Sequence, residues 1–415
     1  MYNFLSGHLR VVRLCLVAAT LALIAIGIAT IYSVGHPAET SPASQTEDLT
    51  NFWKKQVVFA VIGIVVFIAV NSVNYRRFGA ISYWAFAFIL VLLVILLVSK
   101  YVINLPFAPM TNGTYRWIKF KIAGHSLPAI QPSEICKLAY IMALAWYLRY
   151  RSNYRNFHAL IGPFILTLLP MVLIILEPDL GTVLLMMPIL FAMLFVAGAK
   201  VKHLLIVAVM AILVSPLFWV KIKDNQRQRI SSVLLQSDWI RQKAEQNQTL
   251  GRILVGTKFS EKKWKSDWGW QLIRSKYAVA SGGLKGYGFQ QGPFVKYDFL
   301  WARHNDFIFA VIAHQWGFRG CLALMGLYVV IVGCGLKIAM HNTDAFGRLL
   351  AVGITSMFAV QVIVNVSMTV GIMPITGLTL PFVSYGGSSL LVSMAAVGLL
   401  NNVGRCRPYS LARKP

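Results

Sequence analysis

The sequence predicts an all-α, polytopic integral membrane protein with about ten transmembrane helices and a large external loop between helices seven and eight. Three observations lead there. The 415-residue chain is 57% hydrophobic and 13% charged, with a mean hydropathy of +0.64, beyond what soluble domains of this length show. Apolar runs of roughly 18 residues or more recur along it, each the length a helix needs to cross a bilayer. The net charge of +25 is scattered over short loops between those runs. Nucleic acid, which needs a clustered basic face, is therefore excluded as a partner. Membrane lipids, through their anionic headgroups, account for the charge better. The five cysteines include no CxxC pair, so neither a disulfide framework nor a zinc site is indicated.

Taken in order, the spans read approximately 11–34, 55–73, 80–101, 134–148, 159–176, 180–197, 202–220, 307–336, 346–371 and 380–403. The first lacks a small-residue cleavage site and reads as a retained helix. The fourth is short for a crossing and is expected to continue into its polar flanks. Arg10, Arg13, Arg76, Arg77, Arg149, Arg151, Arg155, Lys200, Lys202, Lys337, Arg348, Arg405 and Arg407 all fall on one side, which is cytoplasmic by the positive-inside rule, as are both termini. Glu39, Glu47 and Asp48 then fall outside, in a flexible loop with Pro37, Ser41, Pro42 and Ser44. The whole of 1–415 reads as one transmembrane domain, with 221–306 as its external loop. That loop carries sixteen Lys/Arg against seven Asp/Glu. Solvation beside acidic headgroups and attraction of a phosphorylated substrate both explain the excess. Within it, 240–268, with Trp264 and Trp268, is expected along the membrane surface.

Four polar clusters stand on the outer side. Arg116-Trp117 precedes Gln131-Pro132-Ser133-Glu134 and Lys137; Glu134 and Lys137 share a helix face, as an ion pair or as part of a substrate cavity. In Glu177-Pro178-Asp179, Asp179 is placed to cap span six, which leaves Glu177 without a capping task and facing a cavity or partner. Ser281-Gly282-Gly283-Leu284-Lys285-Gly286-Tyr287-Gly288 superficially resembles a phosphate loop but follows no strand, so a surface turn is expected, with backbone amides near Lys285 or Lys296 as a possible pyrophosphate contact. The fourth joins His304 and Asp306 to 372–389, which contains Ser384 and Ser388 in broken, small-residue backbone; such segments line cavities or pack helices tightly. Asp306 sits where a polar loop re-enters an apolar helix, so its carboxylate loses hydration and gains basicity; helix capping is its bland alternative.

In this order, QPSE at 131–134, EPDLGT at 177–182, RQRI at 227–230, SGGLKGYG at 281–288, HNDFIF at 304–309 and PFVSYGGSSLL at 381–391 resemble the shape, elongation, division and sporulation family of peptidoglycan polymerases over nearly the whole chain. MPITG at 373–377 looks more like its RodA branch than its FtsW branch. Two departures stand out. Where the family commonly has two acidic residues, this chain has His314 and Gln315, and the loop carries extra sequence around 240–268.

The resemblance implies a glycosyltransferase that polymerises lipid II at the outer face of the bacterial inner membrane during cell elongation and releases undecaprenyl pyrophosphate. A lipid II flippase and a division-specific polymerase are the alternatives, and a scaffold that only recruits enzymes is a third. Asp306 is then the candidate general base and His304 its orienting or charge-tuning neighbour. Arg116, Lys119, Lys285 and Lys296 would counter the pyrophosphate, with or without a divalent cation (magnesium or manganese). Trp117, Glu134, Lys137, Glu177, Ser384 and Ser388 complete the expected substrate site. The implied partners are a class B penicillin-binding protein, since the chain has no transpeptidase domain of its own, and the elongation machinery.

Overall fold

The computed structural model describes residues 9–37, 47–111, 114–119, 121–122, 125–126, 129–150, 157–219, 224–297 and 299–405. Glu39, Ser41, Pro42, Ser44, Arg151, Arg155 and Arg407 lie outside the described residues. The first apolar runs form α1 (Arg10–Gly35), α2 (Glu47–Ser72) and α3 (Tyr75–Tyr101). A two-residue hairpin, β1 (Lys121–Ile122) with β2 (His125–Ser126), precedes α4 (Pro132–Leu148), α5 (Ile161–Leu176), α6 (Leu180–Val196) and α7 (Val201–Trp219). The long segment folds into α8 (Asp224–Leu234), α9 (Asp238–Gln246), α10 (Gln248–Val255), α11 (Glu261–Ser266), α12 (Trp270–Ser281) and α13 (Pro293–Lys296). The chain then returns through α14 (Ile308–His341), α15 (Ala345–Thr369) and α16 (Gly387–Arg405).

Among the described residues a helix stands at each of the ten expected places. Seven are long and apolar enough to cross a membrane, and α6 and Val201–Val214 of α7 are shorter apolar helices. Their starts are written locally. Asn74 accepts from Arg76 N at 3.1 Å ahead of α3, Pro132 opens α4, and Asp344 accepts from Gly347 N at 3.0 Å at the head of α15. The span at α4 does not continue into its flanks as expected. Thirteen of its 17 residues are buried, because α4 lies inside the bundle against α3, α15 and α6 rather than against lipid. Peripheral helices instead expose apolar faces, such as Val58, Val61 and Val65 on α2 and Leu205, Val209 and Leu213 on α7. Such a face is stable only against hydrocarbon.

Two expectations are corrected. The tenth helix starts at Gly387, not 380, because Pro381, Phe382 (φ 67°) and Ser384 make a turn, with the Ser384 hydroxyl accepting from Leu380 N at 2.7 Å. The stretch 240–268 does not spread along a surface. Leu235, Ala244, Val255, Phe259 and Trp264 form a small core of their own, with Trp268 packed against it. Trp264 is 2% exposed, so it fills that core instead of reaching headgroups.

Candidate active site

The long segment and the 371–386 loop project from the same face of the bundle, here the loop face. There the chain re-enters as a short arm, 308–316, which Gly317 (φ 62°, ψ −160°) separates from the rest of α14. Asp306 lies at the inner end of this arm. Three successive carbonyls fix it: Tyr385 N donates to His304 O (2.9 Å), the Ser384 hydroxyl to Asn305 O (2.7 Å), and Asn365 Nδ2 to Asp306 O (3.0 Å). The same Asn365 Nδ2 donates to Leu378 O at 2.6 Å. Asn365 is four residues from the end of α15, so Asp306 sits about 6 Å inside that helix end. The backbone is clamped, and the half-buried carboxylate borders the space shared with Arg229 of the long segment and with Arg116, here the cleft.

Asp306 does not cap the helix. The N-cap position is Phe307, and no side chain caps it. The Asp306 carboxylate accepts no hydrogen bond among the described residues and is half-buried, with Gly377 opposite one oxygen. Burial pushes its pKa up from 3.8 to about 6; Arg229 of α8 and Arg116 oppose the rise, and Asp179 adds to it. Arg229 is the charge beside Asp306 that sequence reasoning missed. It lies in the RQRI motif, but nothing in that motif says that α8 folds over the cleft.

Glu177 is 1% exposed, and among the described residues neither of its carboxylate oxygens has a hydrogen-bond partner. Burial pushes it to about 8, Asp179 raises it further, and Arg116 and Lys100 pull against that. Arg116 holds the turn itself: Nε donates to Glu177 O at 2.9 Å and Nη2 to Pro178 O. Asp179 is the cap of α6, as expected, taking hydrogen bonds from the hydroxyls of Ser133 (2.9 Å) and Thr182 (3.0 Å).

The remaining candidates divide. Glu134 and Lys137 form a buried ion pair at 2.8 Å, and at 1% exposure Lys137 has no surface to offer a substrate. Ser384 is spent on Asn305 O and Leu380 N, and Ser388 donates to Ala129 O (3.1 Å) and accepts from Gln131 N (3.1 Å). Both hydroxyls thus hold backbone in place, Ser384 in the 371–386 loop and Ser388 against the segment before α4. His304 is packed by Phe52 and Tyr385, with ring centroids at 4.7 and 5.8 Å, two residues before Asp306. That packing wedges the loop that carries the carboxylate. Trp117 and Lys119 are half-buried in a segment pinned by the Ile118–Ile130 bridge. Lys285 is exposed and Lys296 half-buried, and neither is among the cations felt by Asp306.

The glycine-rich stretch 281–288 is a turn docked on the kink of α14. Tyr287 N donates to His314 O (3.1 Å) and Gly288 N to Gln315 O (2.9 Å), so these amides are not available to a pyrophosphate. At the departure from the family pattern, the two neutral side chains are structural. His314 Nε2 faces Phe294 N at 3.4 Å and Nδ1 faces the Ser281 hydroxyl at 2.7 Å; Gln315 Nε2 donates to Ser33 Oγ at 2.7 Å. Among the described residues no three His, Cys, Asp or Glu side chains gather to hold a metal. Such a protein-built cation cage is not formed by the described residues, and the cations acting on Asp306 are Arg229 and Arg116.

The chain was compared with known proteins. The family described as Cell cycle protein, which groups FtsW, RodA and SpoVE, matches residues 13–408. Peptidoglycan glycosyltransferase RodA of Treponema pallidum is 33% identical, over 94% of this chain and 96% of its own. Stage V sporulation protein E of Bacillus subtilis is 34% identical, over 95% and 98%. Rod shape determining protein RodA of Thermus thermophilus superposes with a TM-score of 0.61 at 26% identity, over 95% and 97%. A chain from a study of how a peptidoglycan synthase complex coordinates polymerization and crosslinking superposes at 0.67 with 27% identity, over 94% and 96%.

Proposed function

The chain belongs to the FtsW, RodA and SpoVE family, and from that membership we propose that it is a peptidoglycan glycosyltransferase that polymerises lipid II during cell elongation. One observation carries the mechanism: a clamped, unpartnered carboxylate, Asp306, facing a cleft that holds two arginines. Asp306 takes the proton of the acceptor sugar hydroxyl as its oxygen attacks the donor's anomeric carbon. The new glycosidic bond forms as the bond to pyrophosphate breaks, so an α-linked donor gives a β-linked glycan. Negative charge grows on the leaving undecaprenyl pyrophosphate, and Arg116 and Arg229 supply the opposing positive field. Trp117 and Lys119 border the substrate, Lys285 and Lys296 meet it farther out, and Glu177, at 1% exposure, stays beneath the surface.

The protein works in the bacterial inner membrane with both termini cytoplasmic and the loop face outside. Its partner is a class B penicillin-binding protein, in keeping with the synthase complex it resembles. The test is labelled lipid II incubated with the purified protein, alone and with that partner. A muramidase-sensitive ladder supports the reading. Asp306→Asn is expected to lose at least about a hundredfold in rate with thermal stability unchanged. An Asn variant of normal rate sinks the assignment of the base.

A further inference from the structure

At the face opposite the cleft, α1, α2 and α16 part to leave a cavity of about 290 Å³. Its walls are apolar, from Leu14, Val17 and Phe67, and its end is polar, from Arg10, Arg13, Asn71 and Asn401. Two donors there lack an internal answer. Asn71 is 1% exposed and its Nδ2 has no hydrogen-bond partner. Arg10 is exposed and makes no ion pair among the described residues. The neighbouring Arg13 is 3% exposed and donates Nε–H to Asn401 Oδ1 at 3.0 Å.

Among the described residues no carboxylate pairs with Arg10. Of the chain's 14 acidic residues, only Asp344 falls in the helix ends and connections of this face. Asp344 is already engaged by the Tyr75 hydroxyl (2.9 Å) and Gly347 N (3.0 Å). An anion that also fits apolar walls is required, and the wall helices border hydrocarbon. We propose that this cavity binds one anionic glycerophospholipid. Its phosphate meets Arg10 and the Asn71 amide, and an acyl chain runs down past Leu14, Val17 and Phe67. The volume lies near the lower limit of ligand pockets, roughly 300 Å³, so it takes the glycerol phosphate and the first methylenes while the rest of the chain stays in the bilayer.

The test is native mass spectrometry of the full-length protein in detergent, titrated with phosphatidylglycerol, phosphatidylcholine or glycerol phosphate. Phosphatidylglycerol is expected to be retained at least about fivefold better than phosphatidylcholine, and Arg10→Gln to erase that preference. Val17→Phe, which fills the cavity, should abolish retention of the lipid; a thermal unfolding curve matching wild type keeps that result interpretable. Glycerol phosphate should not compete. Equal retention of the two lipids, or retention unaffected by both variants, overturns the proposal. Full displacement by glycerol phosphate would make this a simple phosphate site. Binding that appears only after deletion of residues 1–8 would make the N-terminal segment the occupant.

Discussion

Asp306, half-buried, and Glu177, fully buried, are both acids shifted up by desolvation, yet they carry opposite consequences. Asp306 must be ionised to accept a proton, and its pKa is raised from 3.8 to about 6. Polymerisation should therefore rise with pH through about 6, falling about tenfold per unit below it, in initial-rate measurements on lipid II. Arg229 opposes the rise, so Arg229→Gln should move this limb to higher pH, while Arg229→Lys should leave it near wild type. An unmoved limb in the Gln variant would remove Arg229 from the site. Glu177, raised from 4.5 to about 8, is neutral when folded and ionised when unfolded between those values. The folded state then binds more protons, so stability falls as pH rises across that window. Glu177→Gln carries no such proton, and its melting temperature should vary less than wild type between about pH 6 and 8. Equal slopes would mean that the carboxyl is already ionised in the fold. Both acids were legible in the sequence, because a carboxylate beside an apolar run has few reasons to be there. Arg229 was not, because its position depends on how α8 lies across the cleft.

At the scale of elements, hydropathy read the helices because most of them must be apolar over much of a bilayer's thickness, and α4 because it is packed inside the bundle. It failed where apolar residues build something other than a span. Leu380, Phe382 and Val383 look like the start of a helix and form a turn. Trp264 looks like a headgroup anchor and fills a core. The arm 308–316 looks like the first turns of a span, yet Gly317 breaks it away. An added Cβ at Gly317 would lie 2.5 Å from Gly286 N at a left-handed φ of 62°, whereas at Gly326, in the same helix, it would meet nothing within 4 Å. Gly317→Ala should therefore lower stability by at least about 1 kcal/mol and impair polymerisation, with Gly326→Ala close to neutral. Paired melting curves and lipid II rates would show this. Equal behaviour of the two would mean that the arm's break is not required.

For the whole molecule, the orientation rests on the arginine and lysine distribution, and it can be read directly. Val255 is 1% exposed, so a reporter belongs beside it at Thr257, which is exposed. A cysteine at 257 in a cysteine-free chain should react with impermeant reagent from outside intact spheroplasts. Labelling only from the cytoplasmic side would invert the protein and put the cleft on the wrong face for an exported substrate.

The clamp on the re-entrant arm also fixes when the enzyme can first exist. Asn305 and the hydroxyl that holds it, Ser384, are 79 residues apart in sequence. At roughly 5–20 residues per second of synthesis, the aspartate emerges on the order of 4–16 s before that hydroxyl is made. Until then its backbone has neither Ser384 nor Tyr385 to hold it. A nascent chain therefore carries the proposed base without its clamp, and stays silent on the ribosome until the segment carrying Ser384 has been made and docked.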